Sequence, residues 1–342
     1  MTERLRLGIV GCGDIANYTA YLSRLNRRIH LAACCDYNPP TAERFAARHK
    51  ISHVFESYHD LLAHKALDAI YLAVPHDLHF EMARDALQTG LHVLLEKPIT
   101  RTLEEGESLA RLADRSGLCL GVNYQYRYDV GCYALAMAAQ SGDLGRLYYG
   151  KSNVPWQREK PYFEVGPWRG QKARAGGGTL ITQGSHMLDL LLWSMGSQPK
   201  AAMGTTAQLK FHEVDVEDLA MAMVELENGA LLEITSSMVA KPEQALRIEI
   251  YGAQGTARYS NKPFPHVKFM GPQIKRKRPP VKGLHAFQRS LEGFRRWVME
   301  GEPYLIPAWE AIPVLATVSA IYQSATSGKR EQVLLPHPGQ QD

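Results

Sequence analysis

A chain of 342 residues is longer than one hydrophobic core ordinarily organises, so two domains are expected. Hydrophobic residues make up 45% and charged residues 22%, the balance of a globular protein, which excludes a disordered or low-complexity scaffold. The net charge of +4 is modest for this size and argues against nucleic-acid or membrane partners. The first apolar run, residues 5–10, begins almost at the initiator Met and leaves no room for a signal peptide. No later run is long enough to span a bilayer, and a cytoplasmic protein is expected.

Residues 5–10 pass through a glycine turn into a helix from Asp14. Residues 29–35 lead to a helix from Pro39, residues 69–74 to a helix over 78–89, and runs at 91–95 and 118–122 complete the set. These short strands show little polar alternation, which predicts a parallel sheet with helical crossovers covering both faces. Cys12, Cys34, Cys35, Cys119 and Cys132 all lie in this half. Their odd number reads as reduced, buried thiols, with neither disulfides nor a metal site expected.

Beyond Asp129 the pattern changes. An alanine-rich helix to Gln140 is followed by a strand over 146–154, a long aromatic loop and a helix over 181–195. Longer alternating strands follow at 220–226, 230–237 and 246–251, with turns such as Asn228-Gly229 between them, the mark of an antiparallel meander. Helices over 284–299 and 308–324 close the chain. The fold class expected is α/β: a doubly wound parallel sheet in residues 1–122, then an α/β domain in 123–342 with a large open, predominantly antiparallel sheet. The last helices have the option of packing back on the first domain. The free sheet face is expected to pair subunits into a homodimer or homotetramer. The run Lys275-Arg276-Lys277-Arg278-Pro279-Pro280 reads as a solvated loop, with attraction of an anionic substrate as its sharper alternative.

Gly11-Cys12-Gly13-Asp14-Ile15-Ala16 follows the first strand and opens the first helix, the glycine-x-glycine-x-x-alanine form of the Rossmann fingerprint. Gly11 permits the tight turn, Gly13 lets backbone approach a pyrophosphate, and Ala16 lets helix and strand pack closely. Asp36 ends the second strand, where an acid accepts ribose hydroxyls. Its alternative role is to cap the helix that starts at Pro39. Its charge repels a 2′-phosphate, so NAD is preferred to NADP.

Glu96-Lys97-Pro98 ends the strand after residue 91, at the edge where open α/β sheets hold ligands. Together with Val74-Pro75 and His79, Asn123-Tyr124-Gln125-Tyr126-Arg127, Trp168-Arg169-Gly170, and Gly176-Gly177-Gly178 leading to His186 and Asp189, it resembles the glucose-fructose oxidoreductase and inositol dehydrogenase (Gfo/Idh/MocA) family over nearly the whole chain. The resemblance implies an NAD-dependent oxidoreductase that moves a hydride between the nicotinamide and a secondary alcohol of a sugar, glycoside, nucleotide sugar or cyclic polyol. It implies Lys97 and His186 as the catalytic pair. Cofactor contacts are expected from Gly11, Gly13, Asp14, Ile15, Asp36, Pro75, His79, Glu96, Lys97, Gln125 and Arg169. Substrate contacts are expected from Lys97, Arg127, Tyr162, Trp168, Thr182, His186 and Asp189. Thr182 departs from the pattern, since many such dehydrogenases carry Asp four residues before the histidine; a simple acid–histidine relay is therefore in doubt. Two other functions fit the same motifs: glycoside cleavage through transient oxidation, and a dinucleotide-dependent sugar sensor without catalysis.

Overall fold

Leu5–Val10 (β1) is buried at every position except Arg6, as befits a strand covered on both faces. It is the centre of a six-stranded sheet that includes Ile29–Cys35 (β2), His53–Phe55 (β3), Ala69–Leu72 (β4), His92–Leu95 (β5) and Leu120–Val122 (β6). The order is β3-β2-β1-β4-β5-β6, and each neighbouring pair is parallel. This is the doubly wound arrangement, whose chain reversal between β1 and β4 opens a crevice at the carboxyl ends of the strands. The computed structural model describes residues 4–271 and 273–336.

The chain forms two compact units. The first comprises Met1–Thr100, Glu104–Tyr128 and Pro280–Trp309. Residues 123–128 and the helix Ala286–Glu300 thus group with the parallel sheet rather than with the residues that follow it. Buried polar contacts hold them there: Arg289 Nε donates to the Tyr128 carbonyl at 2.6 Å and Ser290 Oγ to Asn123 Oδ1 at 2.7 Å. The crossover helix Leu103–Ser116 and the short elements β3 and Tyr58–Ala63 were not expected from the chain pattern.

The second unit comprises Arg101–Leu103, Asp129–Pro279 and Glu310–Asp342. Its strands are Leu147–Pro155 (β7), Pro199–Ala207 (β8), Leu219–Leu226 (β9), Leu231–Ser237 (β10), Arg247–Gly252 (β11), Thr256–Ser260 (β12), His266–Met270 (β13) and Glu331–Gln332 (β14). They form an eight-stranded sheet in the order β13-β12-β11-β7-β10-β9-β8-β14. Neighbours run antiparallel except β7 and β10. The helix Ser185–Met195 packs on one face, where Leu191 approaches Gly150 of β7. The other face carries exposed Tyr149, Met203, Met221, Met223 and Leu231. β8 escapes sequence reading because Pro199, Gly204 and its small residues dilute the apolar alternation. Residues 275–278 are exposed loop, with Arg276 Nη2 bonded to the Val267 carbonyl at 3.0 Å.

Candidate dinucleotide and catalytic sites

Gly11 has φ +82°, and a Cβ there would lie 2.4 Å from the Ala73 carbonyl oxygen, so a side chain is barred twice over. A Cβ on Gly13 would meet nothing within 4 Å. That open space adjoins the first turn of Asp14–Ser23, a helix with no side-chain cap on its free amides, which is the setting a pyrophosphate needs. Asp14 and Ile15 are exposed beside it. Asp36 Oδ2 accepts the Cys12 N–H at 2.8 Å and Oδ1 accepts the Asn38 N–H at 2.9 Å. The carboxylate keeps spare lone pairs for hydroxyl donors. The following helix is capped by Asn38, whose side chain accepts from Thr41 N, so Asp36 is not spent as its cap. The cysteines are free thiols. The Cys12 thiol is pushed up, first by its hydrogen bond with Cys34 and then by burial.

Lys97 follows β5 and is half-buried. Its neighbour Glu96 turns inward, with Oε1 accepting from Tyr71 Oη at 2.5 Å and from Asn123 Nδ2 at 2.7 Å. Burial raises the Glu96 carboxyl above the ordinary range, against the pull of those bonds and of Lys97. Gln125 is buried just past β6, and its Oε1 finds no hydrogen-bond partner among the described residues. A buried orphan acceptor at the carboxyl edge of this sheet leaves a position that a ligand donor would fit. With the space over Gly13 and the placement of Asp36, it shows that these residues fit a dinucleotide. Pro75 is half-buried at the end of the connection after β4.

Two expectations for this unit are corrected. His79 is completely buried, with Nδ1 2.7 Å from the Pro98 carbonyl and Nε2 3.0 Å from that of Val74. The neutral ring has a single N–H, so one nitrogen donates to a carbonyl while the other only faces one; enclosed in this way, His79 supports the Lys97-Pro98 segment instead of touching a cofactor. Burial lowers its pKa to about 4, outweighing the two carbonyls. Arg127 is 2% exposed and its Nη1 donates to the Leu305 carbonyl at 3.0 Å. It ties residues 123–128 to the 305 segment and is too enclosed to meet a substrate.

In the second unit, Gly176-Gly177-Gly178 leads into one turn of π-helix, Leu180–Gly184, and then Ser185–Met195. π-Turns inside helices frequently mark functional positions. Thr182 and His186 are both largely buried here. Thr182 Oγ1 donates to the Gly178 carbonyl at 2.6 Å, so its proton is committed to its own helix. Asp189 is wholly buried, which corrects its expected substrate contact. The sequence reading missed Glu217 and Tyr322, which meet this glycine run. Glu217 Oε2 accepts Gly178 N–H at 2.7 Å, and Oε1 accepts Leu180 N–H and Tyr322 Oη, both at 2.9 Å. Burial raises the Glu217 carboxyl, opposed by those three donors. The signal available was two adjacent acids, Glu217-Asp218, standing immediately before the apolar run of β9.

The aromatic loop of the same unit is a ladder of rings and guanidinium groups. Arg169 lies over Tyr162 at 4.9 Å and over Trp168 at 5.6 Å, and Arg158 lies over Tyr162 at 5.4 Å and over Trp156 at 5.1 Å. Arg169 Nη1 also donates to the Tyr162 carbonyl at 3.2 Å. Cation–π contacts of this kind stiffen a loop.

The comparisons with known proteins agree with this geometry. Residues 5–124 match the profile of the oxidoreductase family with an NAD-binding Rossmann fold, and residues 128–258 match the GFO/IDH/MocA C-terminal domain. The D-glucoside 3-dehydrogenase of Escherichia coli is 25% identical over 351 residues, covering 96% of this chain and 97% of that protein. The scyllo-inositol 2-dehydrogenase (NADP(+)) IolW of Bacillus subtilis is 31% identical over 187 residues, 55% of this chain and 50% of its own length. The WlbA dehydrogenase of Bordetella pertussis, crystallised with NADH and UDP-GlcNAcA, superposes with a TM-score of 0.87 at 28% identity, over 98% of this chain and 100% of that one. The chain belongs to the Gfo/Idh/MocA family of oxidoreductases. It is a dehydrogenase acting on CH–OH groups, with an NAD-binding Rossmann domain.

Proposed function

We propose that this protein oxidises or reduces a secondary hydroxyl on a pyranose ring carried by a glycoside or nucleotide sugar, with NAD in preference to NADP. The observation that carries the reading is the placement of half-buried Lys97 at the carboxyl edge of the sheet whose glycine turn leaves room for a pyrophosphate. Full-length likeness to a D-glucoside dehydrogenase and to a dehydrogenase crystallised with UDP-GlcNAcA supports the substrate class. Asp36 supports NAD, since its carboxylate welcomes ribose hydroxyls and repels a further phosphate.

When bound, the nicotinamide supplies the hydride acceptor or donor. The protein's own task is to manage the hydroxyl proton. Lys97 orients the substrate oxygen through Nζ and exchanges its proton. His186 completes the transfer as the second acid-base group. Glu96, anchored by Tyr71 and Asn123, holds the strand end that presents Lys97. Gln125 Oε1 is the acceptor for a buried donor on the cofactor. Arg169, with Tyr162 and Trp168, offers a rigid ring-and-cation surface suited to a sugar face bearing a negative charge. The open face of the eight-stranded sheet joins two copies of the chain.

The test is a dehydrogenase screen over inositols, free sugars, glycosides and nucleotide sugars, with each cofactor. Formation of reduced nicotinamide from a pyranoside or nucleotide sugar is the expected result. Absence of turnover with every alcohol, together with no shift of the melting temperature by either dinucleotide, overturns the reading.

A further inference from the structure

We propose that Glu217 is the positioning residue for His186: it fixes the start of the histidine's helix from a strand-edge position distant in sequence. This deepens the proposed function and rests on its reading of His186 as an acid-base group.

Helices that begin in a loop usually take their cap from the residue just before the first turn. Here no side chain in the Thr179 cap position serves that purpose. The free amides go instead to a carboxylate 39 residues away, Gly178 N–H to one oxygen and Leu180 N–H to the other. The Glu217 backbone adds a third link, since its carbonyl accepts Thr179 N–H at 3.0 Å. A negative charge at this end of a helix is favoured by the helix dipole. The bond reaches the reactive side chain in short steps. Gly178, gripped by Glu217, accepts both the N–H and the hydroxyl of Thr182, at 3.0 and 2.6 Å, and His186 stands one turn beyond Thr182.

The glycines are explained by this grip. A Cβ on Gly178 would lie 1.8 Å from the Glu217 carbonyl oxygen, and one on Gly177, at φ +157°, would lie 2.2 Å from Tyr322 Oη. Either side chain would push the Glu217 backbone or the tyrosine away. A carboxylate partly withdrawn from water is costly unless it is hydrogen-bonded, and three donors meet that of Glu217. The adjacent Asp218 works in the same way on a different segment, accepting the N–H groups of Leu209, Lys210 and Phe211. Phe211 packs edge-on to Phe163 at 5.0 Å, next to Tyr162. One dipeptide therefore orders both the helix bearing His186 and the base of the aromatic loop.

Glu217→Gln preserves size but turns an NH2 group toward one of the amide donors, so the grip loosens without an empty space. The experiment follows the histidine rings by NMR in protein labelled with carbon-13 at histidine Cε1, the His186 signal being assigned by its loss in His186→Ala. In Glu217→Gln the His186 signal is expected to move or split while those of His49, His79 and His92 stay in place, which a general loss of structure would not produce. Tyr322→Phe, which removes one bond to the same carboxylate, is expected to give a smaller displacement in the same direction. With a substrate from the screen, kcat is expected to fall by about ten- to a hundredfold, as for small misplacements of a catalytic group, with NAD affinity unchanged. A His186 signal and a kcat identical to those of the parent protein in Glu217→Gln overturn the proposal. If the parent protein turns over no alcohol, the role of His186 falls, and the ring signal alone still decides whether Glu217 positions that side chain.

Discussion

The carboxylate of Asp36 at the end of β2 accepts the backbone N–H of Cys12 in the glycine turn after β1, at 2.8 Å. The residue expected to meet the ribose therefore also shapes the turn expected to meet the phosphates. Asp36→Ala should weaken NAD binding by about tenfold, roughly the worth of one hydrogen bond to a charged group. NADP binding should weaken less, because a charge repelling its extra phosphate is removed as well. Titration with each cofactor measures the ratio of affinities; an unchanged ratio excludes Asp36 as the discriminator.

His79 links pH to stability. Its pKa is near 4 in the folded chain against an ordinary value of 6.5. Between these values the unfolded chain takes up a proton that the folded chain refuses. Stability should thus be fully present above pH 6.5, decline as the pH falls toward 4, and level off below it, with a ceiling of about 3 kcal/mol. Urea unfolding across this window, compared with a His79→Gln variant, isolates the contribution. An equal slope in both proteins would assign the acid sensitivity to other groups.

Lys97 and His186 are proposed to serve one proton transfer. Each of Lys97→Ala and His186→Ala should lower kcat by at least about a hundredfold, the usual contribution of one acid-base group. The double variant should lose much less than the product of the two, since groups acting as a unit are not additive. Near-normal turnover in His186→Ala would leave Lys97 as the sole acid-base group.

The free face of the eight-stranded sheet exposes Met203 at 50%, Met221 at 49% and Met223 at 57%, with Met203 and Met223 paired across β8 and β9. Apolar surface of this kind on one sheet face suits a subunit interface. Met223→Glu places like charges near one another across a two-fold contact and should convert a dimer or tetramer into smaller species. Light scattering of both proteins at micromolar concentration checks this, and a parent protein that is already monomeric contradicts it.

Much of the first unit was legible along the chain because its signals are local. Strands buried on both faces read as unbroken apolar runs, and the φ of +82° at Gly11 admits glycine alone. β3, three residues long, and the proline- and glycine-bearing β8 left no such trace. The expected contacts of His79 and Arg127 went wrong for a shared reason: a polar residue beside a motif has the same letter whether it faces a ligand or a buried carbonyl.

By itself, then, the sequence determined the alternation of the longer parallel strands with helices, the glycine turn with its acid at the end of β2, and the lysine at the end of β5. These depend on periodicity, backbone sterics and spacing within one βα unit. Only the tertiary structure decided that Asn38 and not Asp36 caps the next helix, that His79 is enclosed between two backbone carbonyls, and that Gly177 and Gly178 make room for Glu217 and Tyr322. Hydrogen bonds that join residues 39 and 105 positions apart obey no period, so nothing along the chain announces them until folding brings the groups together.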